Sequence, residues 1–177
     1  MENIKKRLEL QLQILKLQLQ VLLLRQKLTI PNLSGPTHIV VHHAAGDWDF
    51  EQVNNSHKER WGFKSSLGFY CGYHYFVGKD GMIYLARRDN EEAAHTIEKG
   101  NPGFWNKNSI GICLQGNFEI EEPNCDQLNL LEVLVERKRK EYNIPKENVK
   151  GHRDIDATLC PGEHLYKWIL GYKGRVK

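Results

Sequence analysis

The chain has 177 residues, 40% hydrophobic and 27% charged, which excludes disordered and collagen-like classes. That length suits one domain of the usual ~100–200 residues, and no apolar run reaches the ~18–20 residues that span a bilayer. The net charge of +3 sits at the amino terminus: residues 1–28 carry six Lys and Arg against Glu2 and Glu9, a net of +4, which leaves the remainder at −1. A near-neutral body lacks the concentrated basic face of a nucleic-acid binder, so no nucleic-acid partner is expected.

Residues 1–28 differ from everything after them. Leu8, Leu12, Leu15, Leu19 and Leu22 form one apolar stripe, and Leu10, Ile14, Leu17, Val21 and Leu24 form another on the opposite side of the same helix. The alternation over 8–12 and 15–21 also suits a strand, but good helix formers dominate and β-branched residues are scarce, so a leucine-rich helix is predicted. Two stripes want two partners, which makes residues 4–28 a candidate homo-oligomerisation helix. Packing of both stripes within one monomer is the alternative. The basic residues keep membrane or wall contact as a third reading, weakened by the lack of one broad apolar face. Gln11, Gln13, Lys16, Gln18 and Gln20 interrupt every stretch that would serve as a signal-peptide core. Neither a signal peptide nor a transmembrane segment is predicted.

Residues 29–36 (ThrIleProAsnLeuSerGlyPro) read as a linker. From Thr37 the pattern is mixed α/β. A buried strand is predicted at 38–42, a helix over 50–61, and a hairpin of 73–77 and 82–86 turning at AspGly. Another buried strand follows at 109–114. A helix over 126–142 takes Asp126 as its N-cap and ends before Pro145, and a last short helix runs from ProGly161–162 through Trp168. The architecture expected is a central sheet flanked by helices. Residues 171–177 read as a basic tail.

The chemistry lies in the histidines. His42 and His43 end the first strand, His152 follows the short run at 149–151, and Cys160 lies eight residues later. Two imidazoles and a thiolate are good donors for Zn²⁺, and three protein ligands leave a fourth position for water, as in a catalytic site. Adjacent strand residues point to opposite faces, so His42 and His43 do not both ligate one ion; periodicity alone does not choose between them. Four cysteines without a CxxC pair form no disulfide framework, and Cys71 and Cys125 read as ordinary thiols.

ValValHisHisAlaAla (40–45), GlyTyrHisTyrPheVal (72–77) with LysAspGly after it, AlaHisThr (94–96), AsnSerIleGlyIleCysLeuGlnGlyAsnPhe (108–118) and GlyHisArgAsp…ThrLeuCysProGly (151–162) occur in this order. Together they resemble the zinc N-acetylmuramoyl-L-alanine amidases, the group of phage endolysin amidases and peptidoglycan recognition proteins. The resemblance covers about residues 37–170. It implies a mixed β-sheet with helices around it, a zinc cleft at one sheet edge, and His42, His152 and Cys160 as the ligands. It implies Tyr73 as a catalytic tyrosine, which with an unperturbed pKa near ~10 is more naturally a donor than a base at neutral pH. Some phage relatives have Lys two positions before the Cys; this chain has Thr158, as catalytic recognition proteins have a hydroxyl residue. The cytoplasmic muropeptide-recycling branch differs in having acidic residues where this chain has Cys113 and Cys160.

His43, His95 and Asn108 are candidates for substrate contact, although His95 would equally anchor a loop and Asn108 open a strand. Asp154 is a candidate to hold the second ring N–H of a zinc histidine. Trp48, Trp61, Phe104 and Trp105 offer aromatic faces to a glycan, with Trp61 better suited to the core. The activity implied is hydrolysis of the amide between N-acetylmuramic acid and L-alanine in peptidoglycan. A chain made in the cytoplasm and acting on the wall suits a phage or prophage endolysin, or equally an autolysin exported without a signal peptide. The alternative is a module of the same fold that binds peptidoglycan without cutting it.

Overall fold

The computed structural model describes residues 35–97 and 103–174, together with Gln11, Gln13 and Lys16, which are helical and exposed. The rest of the predicted helix over 1–28, with its candidate oligomerisation face at 4–28, lies outside the described residues, as do linker positions 29–34 and residues 175–177. Among the described residues no helix is long and apolar enough to cross a membrane.

Five strands form one sheet: β1 (His38–His43), β2 (Tyr75–Val77), β3 (Ile83–Leu85), β4 (Ser109–Leu114) and β5 (Val149–Gly151), in the order β3-β2-β4-β1-β5. β1 runs parallel to β4 and β5, β2 runs parallel to β4, and only the β2–β3 hairpin is antiparallel. The sheet is therefore mixed, and β1 and β4 at its centre are buried on both faces, as their β-branched runs require. Gly81 (φ +77) closes the hairpin turn, where the Asp80 carboxylate accepts the Met82 N–H.

Alternation divides the side chains between two layers. Ile39, Val41, Tyr75, Val77, Ile110, Ile112 and Leu114 face the long helix α3 (Cys125–Tyr142) and the final helix α4 (Glu163–Gly174), against Leu131, Leu134, Val135, Leu165, Ile169 and Tyr172. Phe76 and Cys113 point the other way, toward Val53 of α1 (Phe50–Arg60). Each fully buried aliphatic contributes about 1.5–3 kcal/mol. A short helix α2 (Phe104–Asn108) leads directly into β4.

Two helix boundaries differ from the sequence expectation. The N-cap of α3 is Asn124, not Asp126: its side chain accepts the Gln127 N–H while the Gln127 side chain accepts the Asn124 N–H, a reciprocal box that places Asp126 inside the first turn. The last helix continues past Trp168 to Gly174, because Leu165, Ile169 and Tyr172 bury one continuous face. Residues 171–174 of the expected basic tail are thus helical.

Behind the sheet, Lys138 of α3 reaches Asp89, whose carboxylate also accepts the Tyr75 hydroxyl at 2.6 Å and the Tyr142 hydroxyl at 2.9 Å. The Lys138 and Asp89 side chains are 7% and 10% exposed, so this is a buried pair sustained by its additional hydrogen bonds.

Candidate metal centre

The centre forms at the carboxyl ends of β1 and β5, where open α/β sheets offer their crevice. His42 is the fifth residue of β1 and projects to the α1 side with its register partner Cys113. His43, next in the strand, turns to the other face, where its Nδ1 accepts the Phe118 N–H at 3.2 Å. His152 follows the last residue of β5 and opens a 3₁₀ turn. Cys160 comes from the loop before α4. Each of His42, His152 and Cys160 offers one ligand atom, and these atoms lie within 4.8 Å of one another. The Cys160 Sγ is 3.7 Å from His42 Nδ1. Two donors at ordinary zinc bond lengths and tetrahedral angles stand roughly 3.3–3.6 Å apart, so the set fits a zinc ion once the wider-spaced donors draw together around it.

Each donor has a neighbour that fixes it. His152 Nε2 donates to Asp156 Oδ2 at 3.0 Å. His42 Nε2 lies 3.0 Å from His95 Nδ1. The Cys160 Sγ accepts the His43 main-chain N–H at 3.4 Å. The Cys160 loop is itself clamped: Arg153 donates its main-chain N–H to the Cys160 carbonyl at 2.7 Å and its guanidinium to the Leu159 carbonyl, Glu119 and Glu163.

Burial governs the protonation of these groups. It holds His42 well below the usual histidine range, with His152 and His95 adding to the effect. It also lowers His152, against the opposing pull of Asp156. The Cys160 thiol is pushed up to about 12 by burial, partly offset by the His43 N–H. Metal-free, the centre therefore presents neutral imidazoles and a protonated thiol, and binding a cation must release the thiol proton.

A groove of about 750 Å³ is lined by His152 and Cys160, while His42, the third donor, is buried beside them. Tyr73 lines it, its ring centroid 5.0 Å from that of His42. Burial first, then the neighbouring thiols Cys113 and Cys160, hold its hydroxyl well above the ordinary tyrosine value, so it is a neutral donor. Thr158 lines the same groove, and its Oγ1 accepts the Cys160 N–H at 3.2 Å, leaving the hydroxyl hydrogen to donate elsewhere.

Several candidates fall elsewhere than expected. His95 is 6% exposed and sits behind His42, away from the groove lining. Asn108 is at the opposite end of β4, since parallel pairing sets Ser109 beside His38; its side chain donates to the Phe104 carbonyl. His43 borders the groove but contributes its main chain to the site, because strand alternation turns its ring away. Asp154 accepts from the Gly151 N–H and the Tyr166 hydroxyl, and the carboxylate on His152 is Asp156 instead. The signal for Asp156 was present as His152 and Asp156 four residues apart. Trp61 is 43% exposed at the groove, not core, because it follows the last turn of α1; Trp48 joins it there. Phe104 and Trp105 pack against His38, far from the site. His57, inside the helix over 50–61 and not singled out by the sequence, accepts the Gly72 N–H at 2.8 Å and stands beside Tyr73 in the groove.

A mixed sheet with two histidines and a cysteine converging at its carboxyl end defines an α/β domain with a candidate metal centre, in the fold shared by amidases and peptidoglycan recognition proteins. Residues 32–163 match the family model for N-acetylmuramoyl-L-alanine amidase (Amidase_2), and the chain belongs to that family. It is similar to peptidoglycan recognition protein 1 of Bos taurus, 37% identical over 99 residues, 55% of this chain and only half of that one. The same protein of Mus musculus is 33% identical over 149 residues, 77% of this chain and 75% of that one. Among solved structures, the N-acetylmuramoyl-L-alanine amidase LysC from Clostridium intestinale URNW superposes with a TM-score of 0.64 at 32% identity, over 77% of this chain and 84% of that one. The ectodomain complex of recognition proteins LCa and LCx, bound to tracheal cytotoxin, gives 0.62 at 30% identity, over 78% and 82%.

Proposed function

We propose that this chain hydrolyses the amide between N-acetylmuramic acid and L-alanine in bacterial peptidoglycan, with a zinc ion held by His42, His152 and Cys160. The observation that carries the reading is the convergence of these three donor atoms within 4.8 Å, two of them, from His152 and Cys160, lining a groove. What a zinc ion supplies when bound there is Lewis acidity for the amide carbonyl and a water acidified toward neutral pH. The chain's own residues do the rest. The groove walls, with Trp48 and Trp61 exposed on them, orient the sugar and stem peptide. Tyr73, kept neutral by burial, donates to the carbonyl oxygen as negative charge develops on it. Thr158 donates a second, uncharged hydrogen bond in place of the lysine of some relatives.

The likeness to LysC, and to the endolysin amidase LysCS of the same organism, supports a phage or prophage endolysin made inside the host cell and acting on its wall. The likeness to recognition proteins bound to tracheal cytotoxin supports the second reading, a domain that binds peptidoglycan fragments without cleavage. Metal content and muropeptide release, measured on one sample of wild type and of Cys160→Ser, separate the two. About one zinc per chain, new L-alanine amino termini, and loss of both in the variant are the outcome expected of the amidase. Zinc bound without cleavage of several wall types would leave the binding module.

A further inference from the structure

A ligating imidazole gives one nitrogen to the metal and carries its proton on the other, so the partner of that second nitrogen decides which atom ligates. Around His42 the donors and acceptors form a one-way chain. Ser109 has a single hydroxyl hydrogen, and it goes to the Trp105 carbonyl at 2.6 Å. Toward His95 the Ser109 oxygen is therefore an acceptor, and His95 carries its proton on Nε2, 3.3 Å away. Neutral His95 then presents a lone pair at Nδ1, 3.0 Å from His42 Nε2. His42 must place its own proton on Nε2 to fill that contact. Its Nδ1, the atom facing the Cys160 sulfur at 3.7 Å, is left as the lone pair.

We propose that His95 and Ser109 are positioning residues that lock His42 in the Nε2–H tautomer and so aim its Nδ1 at the metal. The inference rests on the metal-centre reading of His42, His152 and Cys160, and it moves His95 from substrate contact to the support of a ligand.

The surroundings hold His95 in this role. Its main-chain N–H is taken by Asn106 Oδ1 at 2.9 Å. Its ring lies over Gly111, where a Cβ would come within 2.5 Å of His95 Cδ2, so the glycine in SerIleGlyIle is the space the ring occupies. The His42 and His95 rings meet nearly edge to face, at 74° with centroids 4.9 Å apart. The two histidines of the centre are thus supported differently: His152 by a carboxylate, His42 by a second neutral imidazole backed by a hydroxyl.

The test is long-range ¹⁵N–¹H NMR of the imidazoles in the full chain, zinc-free and zinc-loaded. Both His42 and His95 are expected as Nε2–H tautomers, already set before zinc is added. A His95 protonated at Nδ1 would overturn the proposal. Competition against a chromophoric chelator gives a second readout: His95→Ala should weaken zinc binding about 10–100-fold. His95→Asn keeps an oxygen acceptor near the Nδ1 position and should recover most of that loss. Wild-type zinc affinity in a folded His95→Ala, or no recovery in His95→Asn, would also overturn it. Failure of the wild type to bind zinc would remove the metal-centre reading itself, and the zinc-free spectra would still decide whether the relay exists.

Discussion

Removing the Asp156 carboxylate should weaken zinc binding without unfolding the domain. Asp156 Oδ2 accepts from His152 Nε2 and from the Ile97 main-chain N–H, both at 3.0 Å, and the His152 and Asp156 side chains are only 14% and 10% exposed. A hydrogen bond to a charged group in such a place is worth about 1.5–3 kcal/mol, which converts to a loss of roughly 10–150-fold in affinity. Outer partners of metal-bound histidines independently suggest about 10–100-fold. Asp156→Ala should therefore raise the zinc dissociation constant by one to two orders of magnitude, read by competition with a chromophoric chelator. Charge-assisted bonds are about twice as strong as neutral ones, so Asp156→Asn should lose roughly half that free energy, about 3–12-fold. An alanine variant within twofold of wild type would refute the assignment. Equal losses in both variants would mean that the charge alone matters, contrary to the hydrogen-bond argument.

Tyr73→Phe should keep its zinc and substrate affinity but lose about 10²–10³-fold in kcat, the usual effect of deleting one oxyanion donor; unchanged turnover of a defined muropeptide would exclude the role. Asp89→Ala should destabilise the zinc-free protein by about 3–5 kcal/mol in urea unfolding, since it removes the buried carboxylate of Lys138 and leaves the half-exposed Glu141 as its ion-pair partner among the described residues; a loss below about 1 kcal/mol would mean the pair is dispensable. Acid should unfold the domain early. His74 is fully buried, with Nδ1 accepting the Gly111 N–H and Nε2 donating to the Glu91 carbonyl, and burial lowers it from 6.5 to about 4. Because the unfolded chain takes up that proton first, its contribution is fully present above about pH 6.5 and is lost as pH falls toward 4, about 3 kcal/mol in all. An imidazole NMR titration of His74 near 6.5 in the folded protein would contradict this.

What was legible in the sequence followed from short-range physics. The β-branched runs at 38–42 and 109–114 form the central strands, and strand alternation alone keeps His42 and His43 off one ion, as their rings on opposite faces bear out. What was illegible depends on register and on loops. Asn108 and Asn106 are two residues apart in AsnLysAsn, and nothing local says that the former bonds back to the Phe104 carbonyl of α2 while the latter braces the 93–97 segment. Asp154 and Asp156 both lie near His152 in sequence, and only the 3₁₀ turn decides that the second reaches its ring. Trp61 sits on the helical period of α1, but the helix ends at Arg60 and releases it to the groove.

The supports of the two histidines converge on one stretch of chain. From Ala93 to Ile97, His95 meets His42 directly, and the Ile97 N–H fixes the carboxylate that holds His152. The stretch has little regular structure of its own, so its position comes largely from Asn106, with the Ala94 N–H bonded to the Gly72 carbonyl. The Asn106 Oδ1 accepts the His95 and Thr96 N–H groups at 2.9 and 3.2 Å, its Nδ2 donates to the Thr96 carbonyl at 3.1 Å, and its main-chain carbonyl accepts the Ala93 N–H. A single amide thus does for this segment what a partner strand would do. The third donor is held separately, by Arg153 and the His43 N–H, so the sulfur and the imidazoles are positioned by independent contacts. Perturbing the Asn106 brace should therefore detune both nitrogens together and leave the sulfur in place, a pattern that no ligand substitution would reproduce.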